Sequence, residues 1–184
     1  MKCSGLICFG DSNTYGFDPR SFIGDRYEAE NRWCDIISKR LCCKVLNLGQ
    51  NGKPVPVGRC RSLERIIEEN RDCDTIVVML GSNDVLLGQS PEHIRDKMEK
   101  LLLQIKNLRP LKLLLLSPPR TTIPEGEKKL EELSKLYEKL AEELEIRFCD
   151  SHSWPLELCF DEIHMTEKAN HMFADKLIEF IENN

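Results

Sequence analysis

The chain has 184 residues, of which 41% are hydrophobic and 31% charged, and its formal net charge is −5. That length suits a single domain over residues 1–184 with one sizeable core, and the acidic balance excludes the basic footprint of a nucleic-acid binder. No run approaches the ~20 apolar residues of a membrane span, and the first apolar run is too short for a signal peptide.

Nine cysteines stand at positions 3, 8, 34, 42, 43, 60, 73, 149 and 159. The count is odd and no pair has Cys-x-x-Cys spacing, which argues against a metal cluster or a disulfide framework. Free thiols in that number fit a reducing cytoplasm, so the expected location is cytoplasmic.

In chain order, 5–9 reads as a buried strand that runs into Gly10-Asp11-Ser12-Asn13-Thr14-Tyr15-Gly16. Residues 30–43 read as a helix, 44–48 as a second strand, and the proline-rich 53–58 as a loop. Leu63, Ile66 and Ile67 mark a further helix, and 75–80 is a continuously apolar third strand. Ser90-Pro91-Glu92 opens a helix as a cap residue, a first-position proline and a first-turn acid. Strands at 111–116 and 146–149 and helices at 126–144 and 166–181 complete the series. Strands that alternate with helices and are apolar throughout predict an α/β fold, a parallel sheet covered on both faces as a three-layer αβα sandwich.

Ligands bind at the carboxyl ends of such strands. Four polar clusters fall at those ends or before the last helix: Ser12, Gly52, Asn83, and Asp161 with His164. A glycine at position 10 permits a tight turn that would present the Ser12 hydroxyl. Asp11 and Ser12 also fit a plain helix cap. A serine hydroxyl needs a base to become a nucleophile. Among the four histidines, His93 and His171 lie on predicted helices without a polar cluster, and His152 lies two residues after Asp150. His164 has the better context, because Asp161 stands one turn earlier and can curl back to its Nδ1–H. Acyl transfer further needs donors for a developing oxyanion, which the Asn83 side chain and the Gly52 and Ser12 amides offer. Gly52 and Asn83 equally suit plain turns, so their joint occurrence at one sheet edge carries the weight. Tyr15, Trp33 and Ile163 are candidate pocket lining, each also a natural core residue.

Four ordered blocks resemble the SGNH (GDSL-type) hydrolase family of esterases and lipases: Phe9-Gly10-Asp11-Ser12, Asn47 to Gly52, Gly81-Ser82-Asn83-Asp84, and Asp161-Glu162-Ile163-His164. Thr14-Tyr15-Gly16, the leucine run closing on Ser117-Pro118-Pro119, and His164 to Glu167 are similar to the bacterial arylesterase/acyltransferase branch. Asn13 replaces the leucine of the family name, and Ser82 stands where threonine is frequent. The resemblance implies a flavodoxin-like five-stranded parallel sheet. It also implies Ser12 as nucleophile, His164 as general base and then acid, Asp161 as the orienting acid, and an oxyanion hole of Ser12, Gly52 and Asn83. No cofactor or metal is expected. The implied partner is a small-molecule ester, with a homo-oligomer left open. The alternatives are an acyltransferase, a carbohydrate deacetylase, or a non-catalytic flavodoxin-like ligand-binding domain whose loop at 11–14 cradles a phosphate. A metallohydrolase using His164 with His152 or His171 matches no familiar ligand spacing.

Overall fold

The computed structural model describes residues 4–21 and 23–183, so Cys3 lies outside the described residues. Strands β1 (Gly5–Gly10), β2 (Lys44–Gly49), β3 (Thr75–Met79), β4 (Lys112–Leu116) and β5 (Arg147–Cys149) form one sheet. Every pairing is parallel, and the spatial order is β2-β1-β3-β4-β5, the flavodoxin-like order. Helices α1 (Ser12–Tyr15), α2 (Trp33–Leu41), α3 (Arg61–Glu69), α4 (Ser82–Leu86), α5 (Pro91–Lys106), α6 (Pro124–Glu143) and α7 (Glu167–Asn183) connect and cover it.

The layering follows from the strand sequences. Side chains alternate across a strand, so a strand buried on both sides must be apolar at every position. In β1, Ile7 and Phe9 pack toward one core cluster, while Leu6 and Cys8 pack toward the other. In β4, Leu113 and Leu115 face the first cluster, and Leu114 and Leu116 the second. Helices α3, α4, α5 and α6 supply the first cluster, including Leu63, Val85, Ile94, Leu102, Leu133 and Tyr137. Helices α2 and α7 supply the second, where the Trp33 and Phe173 rings meet at a tilt of 44° with centroids 5.0 Å apart. Each fully buried leucine or isoleucine of these layers contributes about 1.5–3 kcal/mol.

Several boundaries differ from the sequence pattern. The helix expected over 30–43 is interrupted: a 3₁₀ turn, Ala29–Asn31, ends at Arg32, whose φ of −107° and ψ of 125° are extended, and α2 begins only at Trp33. Helix α6 starts two residues earlier than expected, with Pro124 in its first turn, where a missing amide costs nothing. Helices α1 and α4 are too short to show a period in sequence. They nevertheless carry Ser12 and Asn83.

The sheet order also locates a crevice. The chain leaves β1 to build β2 on one side, then crosses to build β3 on the other. Connections diverging in opposite directions leave a gap at the carboxyl ends of β1 and β3. Ser12 directly follows β1, and Asn83 directly follows β3.

Candidate active site

Helix α1 sits on the sheet edge because two glycines leave room for it. A Cβ on Gly49 would come within 2.1 Å of the Tyr15 amide nitrogen, and one on Gly10 within 2.9 Å of the Met79 carbonyl. Gly10 is not among the residues with positive φ, so close approach, not turn freedom, requires glycine there. Asp11 caps the helix by accepting the Asn13 amide at 3.0 Å. Gly16 ends the helix in the left-handed region at φ 86°. The cap and the mount for Ser12 are one structure.

Ser12 and the loop before α7 meet across the crevice. His164 Nε2 lies 2.8 Å from Ser12 Oγ, and His164 Nδ1 lies 2.6 Å from Asp161 Oδ2. The other Asp161 oxygen accepts the amides of Ile163 at 3.2 Å and His164 at 3.1 Å. Burial pushes the Asp161 carboxyl up, but these bonds from His164 and Ile163 outweigh it and hold it below the ordinary aspartate value. An ionised carboxylate can only accept, so the Nδ1 proton faces Asp161 and Nε2 is left to accept the Ser12 hydroxyl. The loop passes through Glu162 at φ 64°, a conformation that costs about 1 kcal/mol for a non-glycine residue. Thr121 Oγ1 donates to the Glu162 carbonyl at 2.6 Å and holds the turn in place.

Asn13 grips both neighbours of His164. Its Oδ1 accepts the Met165 amide at 3.0 Å, and its Nδ2 donates to the Ile163 carbonyl at 3.3 Å. Asn13 is itself buried, and its own carbonyl accepts from Trp33 Nε1 at 2.9 Å. Phe17 lies beside the imidazole, with ring centroids 4.7 Å apart.

Opposite His164 stand the donors. Gly52 has φ 68° and open space where a Cβ would be. The Ser12 and Gly52 amides have no hydrogen-bond partner among the described residues. Asn83 Nδ2 donates to the Lys53 carbonyl at 3.1 Å, which leaves its second N–H available. A cavity of about 180 Å³ opens over these groups, with Ser12, His164, Gly52 and Asn83 on its polar side and Phe17, Leu86 and Ile163 on its apolar side. Asp11 lies beneath it, fully buried. Desolvation pushes its carboxyl up to about 6, against the opposing pull of the Asn13 amide, His164 and Ser82.

Five residues singled out in sequence, Ser12, Gly52, Asn83, Asp161 and His164, therefore converge, and Ile163 lines the cavity as expected. Tyr15 and Trp33 do not line it. The Tyr15 ring lies under the Arg26 guanidinium at 4.5 Å, and Trp33 is packed in the α2–α7 core. The other histidines stand apart. His152 Nε2 is 3.4 Å from Glu127, His171 Nε2 is 3.1 Å from Asn31 Oδ1, and His93 is exposed in the first turn of α5. A larger surface groove of about 810 Å³ beside α2, between Asp35, Arg40 and His171, contains none of the converging residues. Sequence reasoning missed Asn13, Phe17 and Leu86. Only Phe17 had a signal, an aromatic directly after the helix-ending Gly16.

The GDSL-like lipase/acylhydrolase family model matches residues 8–172. Solved structures of similar fold include an aryl esterase of M. smegmatis, with a TM-score of 0.85 at 23% identity, covering 98% of this chain and 99% of that one. A putative arylesterase from Agrobacterium tumefaciens gives 0.83 at 26% identity, covering 98% of this chain and 99% of that one. Est24, a carbohydrate acetylesterase from Sinorhizobium meliloti, gives 0.80 at 25% identity, covering 96% of this chain and 99% of that one. No curated protein matches the chain. The family model spans nearly the whole sequence and takes in all four motif blocks: the chain belongs to the GDSL-like lipase/acylhydrolase family and is an enzyme that hydrolyses ester bonds.

Proposed function

We propose that Ser12 is the nucleophile, His164 the general base and then acid, and Asp161 the residue that orients and charges the imidazole. The Ser12 and Gly52 amides and the Asn83 side chain form the oxyanion hole in this reading. The observation that carries it is the unbroken chain of short hydrogen bonds from Asp161 through His164 to Ser12 at one end of the cavity.

The steps follow from that geometry. Ser12 Oγ attacks the ester carbonyl carbon as its proton passes to His164 Nε2. Negative charge gathers on the former carbonyl oxygen, where the three donors meet it. Each such donor is worth about 3–4 kcal/mol in the transition state. The imidazolium, paired with Asp161, gives its proton to the departing alcohol. Water then attacks the acyl-serine carbonyl, His164 takes the water's proton, and the Ser12 oxygen leaves with that proton as the acid departs.

The cavity of about 180 Å³ suits carboxylic esters of small or medium size, with the acyl or alcohol part against Phe17, Leu86 and Ile163. A second reading, removal of acetyl groups from a sugar, draws on the similarity to the Sinorhizobium enzyme named as a carbohydrate acetylesterase. Acyl transfer to an alcohol would use the same first half-reaction. Residues 1–184 act as one domain in this account. The number of cysteines in the chain, without Cys-x-x-Cys spacing, suits a reducing cytoplasm.

A fluorophosphonate probe followed by peptide mapping tests the assignment. The adduct is expected on Ser12 and nowhere else. An adduct on another residue, or an unlabelled protein that still cleaves esters, contradicts it. The size reading is checked with p-nitrophenyl esters from acetyl to palmitoyl. Activity should peak among the short acyl groups, and a peak at palmitoyl would overturn that reading.

A further inference from the structure

Away from the Asp161–His164–Ser12 chain, one ion pair is buried more deeply than any other among the described residues. Asp84 on α4 has no exposed surface, and the Lys97 side chain on α5 is only 8% exposed. The ammonium of Lys97 contacts Asp84 Oδ1 directly. Val55, Val85 and Met98, their bonded or sequence neighbours, all belong to the apolar core cluster. Two charges in such a place gain little net stability, because desolvation offsets most of their attraction, and a well-packed apolar pair would serve as well. The pair's significance therefore lies in what else the carboxylate does.

Its second oxygen holds the chain that follows Gly52. Asp84 Oδ2 accepts the Val55 amide at 2.9 Å. The preceding residue, Asn83, donates to the Lys53 carbonyl at 3.1 Å. Two consecutive residues of α4 thus hold both ends of the segment Lys53-Pro54-Val55. Pro54 between them has a ring-fixed φ, which stiffens the segment further. Gly52 is the residue directly before it, and the Lys53 amide closes the turn onto the Gln50 carbonyl at 3.2 Å.

We propose that the buried Asp84–Lys97 pair is a positioning device for the oxyanion hole, holding residues 53–55 against α4 so that the Gly52 amide and the Asn83 side chain converge on one spot. Lys97 balances the buried charge of the carboxylate, whose second oxygen holds the Val55 amide. Neither residue touches the substrate; each acts through Gly52 and Asn83. The inference rests on the oxyanion-hole assignment made above.

Two double variants test it without leaving a buried charge alone. Asp84→Asn with Lys97→Met is neutral and keeps an oxygen to accept the Val55 amide. Asp84→Ala with Lys97→Met is neutral and has none. Melting temperature, kcat and KM are measured with p-nitrophenyl acetate. The asparagine variant is expected within about threefold of the wild-type kcat. The alanine variant is expected to fold but to lose about tenfold or more in kcat, with KM within about twofold, because oxyanion donors act in the transition state. A wild-type kcat in the alanine variant overturns the proposal, as does a loss confined to KM. So does an asparagine variant as impaired as the alanine one at equal melting temperature. Failure of both to fold also counts against it, since the pair would then be a stability element and not a positioning device. Ser12→Ala, measured alongside, separates the two levels. If it stays active, the site assignment fails; if it is inactive beside a fully active alanine variant, only this inference fails.

Discussion

At the scale of single residues, Asn13 holds more of the site than its place in the motif suggests. Read in sequence it is a substitution for the leucine of the family name. In the structure its amide spans the crevice and bonds the residues on both sides of His164. The two ends of an amide differ, one accepting and one donating, and the loop presents the matching partners. Asn13→Ala should free the loop and lower kcat about ten- to hundredfold, since small misplacements of a reacting group have effects of that size. Asn13→Asp keeps an acceptor for the Met165 amide but sets a second acceptor against the Ile163 carbonyl, so it should not restore the rate. Steady-state kinetics on a short ester checks this, and a wild-type kcat in Asn13→Ala would contradict it. Sequence could not show the role, because partners 150 residues or more away are set by the fold.

At the scale of elements, the long helices and the apolar strands were legible and the short helices were not. The stripe Leu130, Leu133, Tyr137 and Leu140 is buried as its spacing predicts. The run Ile76, Val77, Val78 and Met79 is buried on both faces of β3. Helices α1 and α4 span four and five residues, about one turn each, so no periodicity could announce them. Their positions depend on contacts such as the close approach of α1 to β2. That contact is testable through Gly49. A methyl group there would meet the Tyr15 backbone, which cannot rotate away as a side chain could. Gly49→Ala should destabilise the fold by about 3 kcal/mol and lower activity, as read by urea unfolding and ester hydrolysis. Unchanged stability would mean that α1 does not press on the sheet end as described.

At the scale of the whole molecule, one sheet with helices on both faces follows from the central strands, whose runs Leu6 to Phe9, Ile76 to Met79 and Leu113 to Leu116 are apolar on both faces. The boundary of α2 and the Phe17 and Leu86 side of the cavity were not readable, because both depend on how distant segments meet. Trp33 shows why: an aromatic at the start of a helix is equally plausible in a pocket wall or a core, and the α2–α7 layer claims it. The described residues include no helix long and apolar enough to cross a membrane. Global stability carries the signature of the site in Asp11. Its folded value of about 6 lies above the ordinary 3.8, so the protonated carboxyl favours the folded chain. That contribution is full below about 3.8 and is lost as pH rises through about 6. Wild type should therefore lose on the order of 1–1.5 kcal/mol between pH 5 and pH 8 that Asp11→Asn does not lose. Urea unfolding of both proteins at the two pH values gives the comparison, and parallel curves would contradict it.

In the proposed cycle Ser12, activated through His164 and Asp161, carries the ester hydrolysis, and this role is open to one decisive kinetic comparison. It is tested most directly by the kcat of Ser12→Ala on p-nitrophenyl acetate, with the melting temperature confirming an intact fold. A loss of about 10⁴-fold or more is expected, leaving only the small remainder that binding and the oxyanion donors provide. A folded Ser12→Ala protein that hydrolyses the ester at the wild-type rate would contradict it.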